Sequence, residues 1–224
     1  MEWAERADHP HQVPDLMEQA FSAMLNGRPG PAILEMAPDR LAAFEEVAVR
    51  ESPSENQAPD PEEALIKQAA ARLKAARCPA ILVGGGTLSA TGPLRQLAEQ
   101  LQAPVISTIS ARGVLSDDHP LSYTVLAGQH IWEHVDVALV VGTRFTAPAL
   151  AWGRLGEMDV VRIDIDPDAV SRPVSSSVEI VTSADKGLSA LLAALEPGPA
   201  DREAYLAFCA EADRVVRKLS LIHI

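Results

Sequence analysis

Three glycines stand where a predicted strand gives way to a predicted helix. The strand is the apolar run Pro79–Val83, and it is followed directly by Gly84, Gly85 and Gly86. At such a junction in a parallel sheet, backbone N–H groups and the next helix can bind a phosphate. The fingerprint Gly-x-Gly-x-x-Gly is incomplete, because its last position is Ser89. The run is equally consistent with a phosphate site and with a tight turn.

Charged residues follow two further predicted strands. One strand ends at Gly142 and leads to Arg144, which could reach a phosphate in the same crevice. In the other, Asp164 and Asp166 alternate with isoleucines, so their carboxylates share one face and could bind ribose hydroxyls. The simpler interpretations are a surface arginine and, for Asp166 before Pro167, a cap on a helical turn. No third ligand accompanies the two acids, so no metal site is predicted.

A different chemistry is suggested by His130, Glu133 and His134. Their spacing matches the H-x-x-E-H pattern of zinc peptidases. The space for a helix is short, because Gly128 precedes the pattern and a strand is predicted from Asp136. Three fixed positions also arise often by chance. A short solvated helix is the favoured interpretation, and a zinc peptidase is the alternative.

The elements that must position these residues divide the chain into four segments. Residues 1–40 offer one helix and one strand, and residues 41–60 form a polar linker containing proline. Residues 61–197 alternate apolar strands with amphipathic helices, which predicts an α/β fold: a doubly wound, Rossmann-like parallel sheet. Residues 198–224 begin at a Pro-Gly break and carry one more amphipathic helix.

Capping patterns and apolar spacing predict details of these helices. Asp60 before Pro61 predicts the start of the first helix of the sheet domain, and Ser183 predicts the start of a later one. In the last helix, the spacing predicts a buried stripe of Tyr205, Phe208, Ala212, Val215 and Leu219.

Composition excludes several classes of protein. The net charge is −12, from 31 acidic and 19 basic residues, which disfavours a nucleic-acid-binding protein. No apolar run is long enough to span a membrane, and the N-terminus lacks the apolar core of a signal peptide. Two cysteines outside any motif indicate a reducing, cytoplasmic environment rather than a disulfide framework.

The order of the motifs resembles the thiamine-diphosphate-dependent enzymes of the acetolactate synthase, pyruvate oxidase and benzoylformate decarboxylase superfamily. Each motif is weak alone, but five of them occur in the superfamily's order. They are a Gly-Arg-Pro-Gly-Pro turn with its strand and Pro-Asp, the glycine run, an Ala-Arg-Gly segment, a Gly-x-Arg-Phe strand end and Ile-Asp-Ile-Asp-Pro, at residues 27–39, 84–86, 111–121, 142–145 and 163–167.

The resemblance implies a longer parent enzyme. Residues 1–40 would end its pyrimidine-binding domain, residues 61–197 would form its central domain, and residues 198–224 would begin the linker to a diphosphate-binding domain. The family's catalytic glutamate and the Gly-Asp-Gly…Asn motif that holds Mg²⁺ and thiamine diphosphate would lie outside this sequence. No catalytic or metal-binding residue is therefore expected here. The fragment is expected to be inactive alone and, lacking partners for its terminal segments, to aggregate.

The resemblance also implies a nucleotide site. Gly84, Gly85, Gly86, Arg144, Asp164 and Asp166 would line a crevice that binds FAD in some members and an adenine nucleotide in others. Flavin-binding synthases carry Asp-Asp-Arg after Gly-x-Arg-Phe, whereas this chain has Thr-Ala-Pro at residues 146–148. That difference disfavours FAD.

The implied parent is a carboligase or decarboxylase of 2-oxo acids, hence a transferase or lyase, that works as a homo-oligomer (a dimer or tetramer). The alternative is a stand-alone FAD- or adenine-nucleotide-binding module. A deacylase of similar topology would need four zinc-binding cysteines, and this chain has two. An electron-transfer module would not account for the turn at residues 27–31.

Overall fold

The computed structural model describes residues 3–48, 58–154, 156–196 and 202–220, with the side chains of residues 219 and 220 excepted. The chain forms two compact units, Met1–Ala58 and Pro59–Ile224. Much of the predicted linker, the Pro-Gly break and the final apolar residues 221–224 lie outside the described residues.

The first unit is a parallel β-α-β arrangement. Strands β1 (Trp3–Ala7) and β2 (Ala32–Met36) pair in parallel, and helix α1 (Val13–Leu25) connects them. A short helix, α2 (Pro38–Leu41), follows. The prediction of one helix and one strand is therefore incomplete. Strand β1 has the sequence Trp-Ala-Glu-Arg-Ala, which has neither a continuous apolar run nor clear alternation, so its pairing with β2 determines its conformation.

The second unit contains a six-stranded sheet in which every strand pair is parallel. Its strands are β3 (Pro79–Val83), β4 (Val105–Ser107), β5 (Ser122–Thr124), β6 (Val137–Val141), β7 (Asp159–Asp164) and β8 (Val178–Val181). The spatial order is β5-β4-β3-β6-β7-β8. The chain runs outward from β3 to β5 and then returns to the other side of β3, which confirms the doubly wound fold and puts its switch point between β3 and β6.

Helices cover both faces of this sheet. They are α3 (Glu63–Ala75), α4 (Thr91–Leu101), α5 (Val125–Trp132), α6 (Thr146–Ala151), α7 (Ala184–Ala194) and α8 (Glu203–Ser220). Ile81 and Val83 of β3 pack in a core with α3, α4 and α7, whereas Leu82 packs in a second core with α5, α6 and α8. Burial on both faces is why the central strands are continuously apolar.

One helix begins as its capping residue predicts, and another does not. The Ser183 side chain accepts a hydrogen bond from the Lys186 amide (3.3 Å) at the start of α7. The prediction for Asp60 is wrong, because Glu62 occupies the N-cap of α3 and makes no side-chain capping bond. The Asp60 carboxylate instead accepts a hydrogen bond from Lys186 Nζ, 2.8 Å away. A tertiary ion pair therefore replaces the local cap.

Helix α8 lies in the second unit and packs in its second core. Its buried residues are Tyr205, Cys209, Ala212 and Val216. At two turns the buried residue is one position later than predicted. Cys209 is buried instead of Phe208, which is half-buried, and Val216 is buried instead of Val215, which is 43% exposed. Among the described residues, no helix has both the length and the apolar character needed to cross a bilayer.

Candidate functional site

The switch point between β3 and β6 is built from close backbone contact. The Gly84 amide donates to the Val141 carbonyl (3.0 Å), and the Gly86 amide donates to the Gly142 carbonyl (3.1 Å). A Cβ atom on Gly84 would lie only 2.3 Å from the Gly142 oxygen. Gly142 itself has a φ of +56°, and a Cβ there would lie 2.8 Å from the Gly86 carbonyl carbon. These positions require glycine because the two strand ends touch.

This contact limits how the glycine run can bind an anion. Two of its three amides, those of Gly84 and Gly86, already donate to main-chain oxygens. Thr87 closes the turn by donating from both its amide (3.0 Å) and its hydroxyl (2.6 Å) to the Gly84 carbonyl. Gly85 is exposed, and its amide makes no hydrogen bond within the described part of the chain. The run therefore offers one amide to a phosphate rather than a cradle of three.

Arg144 lies in the loop that follows β6. It is exposed and makes no hydrogen bond or ion pair with any described residue. The next residue, Phe145, is 1% exposed, adopts a left-handed backbone (φ +57°) and packs on Trp132 with ring centroids 5.9 Å apart. The Thr143 hydroxyl accepts a hydrogen bond from the Phe145 amide (3.4 Å). The buried Phe145 thus fixes this part of the loop, and the neighbouring Arg144 lies at the surface with its positive charge accessible to an anion.

Asp164 and Asp166 both stabilise the loop after β7. An oxygen of Asp164 accepts a hydrogen bond from the Asp166 amide (3.1 Å), and an oxygen of Asp166 accepts one from the Asp168 amide (2.9 Å). The Asp166 carbonyl also accepts from Ala169 (3.0 Å), so Asp166 caps a short turn. Part of each carboxylate is therefore engaged in the loop. A role for either acid in binding ribose stays a prediction.

The topology brings the candidate residues to one edge of the sheet. Gly84 to Gly86 follow β3, Arg144 follows β6, and Asp164 ends β7. The strands are parallel neighbours in that order, so all three ends point the same way. The Gly142 amide donates to the Ile163 carbonyl (2.9 Å), which links the second strand end to the third.

The sequence analysis missed Arg162, which is 0% exposed within β7. Its guanidinium donates from Nη2 to the Thr143 carbonyl (2.8 Å) and from Nη1 to the Arg172 carbonyl, and it lies 5.6 Å from the centroid of the Phe145 ring. Burial lowers the pKa of Arg162. The available signal was a lone arginine inside a strand of buried valine and isoleucine.

The zinc-peptidase pattern does not form a metal site. Helix α5 ends at Trp132, so Glu133 and His134 lie beyond it. His134 packs edge-on against Phe208 (4.3 Å between centroids), and the Glu133 carbonyl accepts a hydrogen bond from Arg154. Across the described ranges, no group of three or more His, Cys, Asp or Glu residues could hold a metal ion. His130, Glu133 and His134 are exposed, but the prediction of a solvated helix is wrong for α5 as a whole, because its Ile131 and Trp132 are 0% exposed in the core.

Comparison with known proteins identifies the family. Residues 66–191, more than half of the chain, match the family described as thiamine pyrophosphate enzyme, central domain. This chain belongs to the thiamine pyrophosphate enzyme family. The matched residues run from α3 to α7, so the family match covers all six strands of the second unit.

Two curated proteins are among those similar to this chain. Acetolactate synthase isozyme 1 large subunit of Escherichia coli (strain K12) is 31% identical over 203 residues, covering 85% of this chain and 36% of that protein. "Probable 2-ketoarginine decarboxylase AruI" of Pseudomonas aeruginosa is 34% identical over 197 residues, covering 83% of this chain and 34% of that protein. The chain thus spans about a third of the length of these relatives.

Solved structures agree with the family. A Mycobacterium smegmatis protein described as a thiamin diphosphate-dependent enzyme superposes with a TM-score of 0.72 and 25% identity, over 90% of this chain and 40% of that one. Benzoylformate decarboxylase from Polynucleobacter necessarius also gives a TM-score of 0.72, at 20% identity, over 88% of this chain and 39% of that one. The second likeness shows the fold alone.

Proposed function

We propose that this chain supplies the central domain of a thiamine-diphosphate-dependent enzyme that acts on 2-oxo acids as a carboligase or decarboxylase. The family match carries the proposal, and the curated relatives named for acetolactate synthesis and 2-ketoarginine decarboxylation support it. Thiamine diphosphate stabilises the carbanion left when a 2-oxo acid loses carbon dioxide. In this proposal Mg²⁺ and the cofactor are held by residues outside this sequence, and the parent is a homo-oligomer, a dimer or tetramer.

The full polypeptide that carries this sequence provides the test. It is purified from its source and assayed for carbon dioxide release from pyruvate, 2-ketoarginine and benzoylformate, with and without thiamine diphosphate and Mg²⁺. Release from at least one 2-oxo acid that requires both additions supports the proposal. Absence of release from all three, from a folded protein that binds thiamine diphosphate, would remove 2-oxo acid chemistry from the proposal. Light scattering on the same sample measures the number of subunits.

The second part of the proposal is an adenine-nucleotide site at the carboxyl edge of β3, β6 and β7. The observation that carries it is the exposed Arg144, which has no hydrogen-bond or ion-pair partner among the described residues. It follows directly after the contact between Gly84 and residues 142–143. An arginine fork with a nearby free amide suits a diphosphate. Thr146 and Ala147 begin α6 with no charged side chain, which favours ADP over FAD.

Calorimetric titration of the full polypeptide that carries this sequence, with ADP and with FAD, tests this site. The variant Arg144→Gln is expected to weaken ADP binding at least tenfold. The matched control is Arg112→Gln, because Arg112 is an exposed arginine in the loop after β4 that already pairs with Asp117 (2.9 Å). It is expected to change the affinity less than twofold. If the unsubstituted chain does not bind ADP at millimolar concentration, the nucleotide proposal fails.

A further inference from the structure

Arg162 is a buried guanidinium that forms no ion pair with any carboxylate in the part of the chain that the structure describes. Charged side chains are almost never fully buried unless they are paired, because removing an ion from water is costly. Here the donors of the guanidinium go to two main-chain carbonyls, and Nε has no partner among the described residues. The charges of Asp164 and Glu179 favour the protonated guanidinium from a distance. Such an arrangement calls for an explanation beyond apolar packing.

The two carbonyls that Arg162 binds belong to different loops. Thr143 lies in the loop after β6, one residue before Arg144, and Arg172 lies in the loop after β7. The same guanidinium faces the ring of Phe145, one residue after Arg144. Arg162 therefore contacts the residues on both sides of Arg144 and connects them to the neighbouring loop.

The backbone at this point needs external support. Phe145 has a left-handed conformation that is unfavourable for an aromatic residue, and Gly142 is also left-handed. A conformation of this kind persists only when surrounding contacts stabilise it. Arg162 supplies such contacts from the neighbouring strand β7. Its guanidinium donates to the Thr143 carbonyl and lies over the Phe145 ring.

We propose that Arg162 is a positioning residue that fixes residues 142–145 and thereby holds Arg144 where it binds an anion at the carboxyl edge of the sheet. The claim that Arg144 binds an anion rests on the proposed nucleotide site. The claim that Arg162 fixes residues 142–145 is independent of that site. Arg162 is too deeply buried to touch a ligand itself.

Arg162→Met is the informative variant, because an apolar side chain of similar length fills the site in the strand without donating to either carbonyl. The matched control is Arg202→Met. Arg202 is also buried and also donates to two main-chain carbonyls, those of Ala76 and Leu101, which close helices α3 and α4. Both variants remove a buried guanidinium from the same unit, but only one removes the contacts with residues 142–145.

Two measurements on the full polypeptide that carries this sequence decide the proposal. Hydrogen exchange detected by mass spectrometry is expected to be at least tenfold faster at residues 143–146 in Arg162→Met, and unchanged there in Arg202→Met. The ADP dissociation constant is expected to rise at least fivefold in Arg162→Met alone. In the Arg144→Gln background, Arg162→Met is expected to have no additional effect on ADP binding, because its effect passes through Arg144.

The possible outcomes separate the two proposals. Equal exchange at residues 143–146 in Arg162→Met and the unsubstituted chain overturns the positioning role. Additive losses of ADP affinity in the double variant overturn the link to Arg144. If the unsubstituted chain binds no ADP, the proposed nucleotide site fails, and the exchange rates still decide whether Arg162 fixes the loop. If Arg162→Met does not fold, Arg162→Lys is measured against Arg202→Lys in the same way.

Discussion

The guanidinium of Arg202 donates a hydrogen bond from Nη2 to the Ala76 carbonyl, 2.8 Å away. Its Nη1 donates to the carbonyl of Leu101. These two carbonyls close α3 and α4, where unpaired carbonyl groups concentrate partial negative charge. Arg202 immediately precedes α8, whose Tyr205 hydroxyl donates to the Pro79 carbonyl (3.1 Å) at the start of β3. The N-terminal end of α8 is thereby attached to the edge of the sheet opposite the candidate site.

Replacing Arg202 by methionine is expected to lower the free energy of unfolding by about 2 kcal/mol, because two buried carbonyls lose charged donors. Urea denaturation measures the change. Arg95→Met is the control, because Arg95 is exposed on α4 and its nearest approach to Glu99 is 3.8 Å. It is expected to change stability by less than about 0.5 kcal/mol. If Arg202→Met lowers the free energy of unfolding no more than the control does, Arg202 does not anchor α8 in this way.

The glycine run provides a sharper comparison between neighbouring positions. Gly84→Ala is expected to destabilise the fold by about 3 kcal/mol, because the new Cβ would lie 2.3 Å from the Gly142 oxygen and 2.5 Å from Thr143 Cβ. Gly85→Ala is expected to change stability by less than about 0.5 kcal/mol, because its Cβ would have no contact closer than 3.4 Å, to Ser110. Unfolding curves of the two variants give both values. Similar destabilisation at both positions would mean that the strand ends do not touch as described.

The central strands could be predicted from sequence because each is buried on both faces. Strand β3 matches the predicted apolar run Pro79–Val83, and β6 begins at Val137, one residue after the predicted start at Asp136. Short β5 (Ser-Tyr-Thr) and polar β1 were missed, because their conformation depends on a neighbouring strand rather than on their own pattern.

The candidate site could be predicted only in part. The glycines, Arg144 and the two aspartates follow from strand order, because residues after parallel strands meet at one edge. The contact between Arg162 and Thr143 joins residues 19 positions apart and involves a carbonyl, which carries no side-chain signal. The hydrogen bonds that engage the Gly84 and Gly86 amides are likewise between backbone groups, so the sequence did not distinguish a packed turn from a phosphate cradle.

Exposed apolar side chains in the first unit are expected to make the chain aggregate. Met17, Phe21 and Leu25 of α1 are 40%, 43% and 47% exposed, whereas Ala20 is 5% exposed. Phe21→Glu is expected to reduce aggregation, measured by size-exclusion chromatography with light scattering, without lowering the melting temperature. Ala20→Glu is the control on the same helix, and it is expected to destabilise the unit by burying an unpaired charge. A monodisperse preparation of the unsubstituted chain would contradict the expectation.

Alkaline pH is expected to destabilise the second unit through three buried acids. Burial raises the pKa of Cys209 from 9.0 to about 12 and that of Tyr123 from 10.0 to about 12, and it also raises the pKa of Tyr205. Above pH 9 the folded chain retains the Cys209 proton that the unfolded chain releases. The unfolded state then binds fewer protons, so stability falls as pH rises.

The expected slope for each such group is about 1.4 kcal/mol per pH unit once pH exceeds its unfolded pKa. Urea midpoints between pH 8 and 9.5 measure it, and Cys209→Ala is expected to reduce the decline in this range, where each tyrosine is still mostly protonated in the unfolded state as well as in the folded one. Cys78→Ala is the control. Burial also raises the pKa of Cys78, but this thiol is only half-buried, whereas Cys209 is 0% exposed. It is expected to retain most of the decline. A stability independent of pH up to 9.5 in the unsubstituted chain would mean that the Cys209 thiol ionises as freely in the folded chain as in the unfolded one, and that α8 does not enclose it.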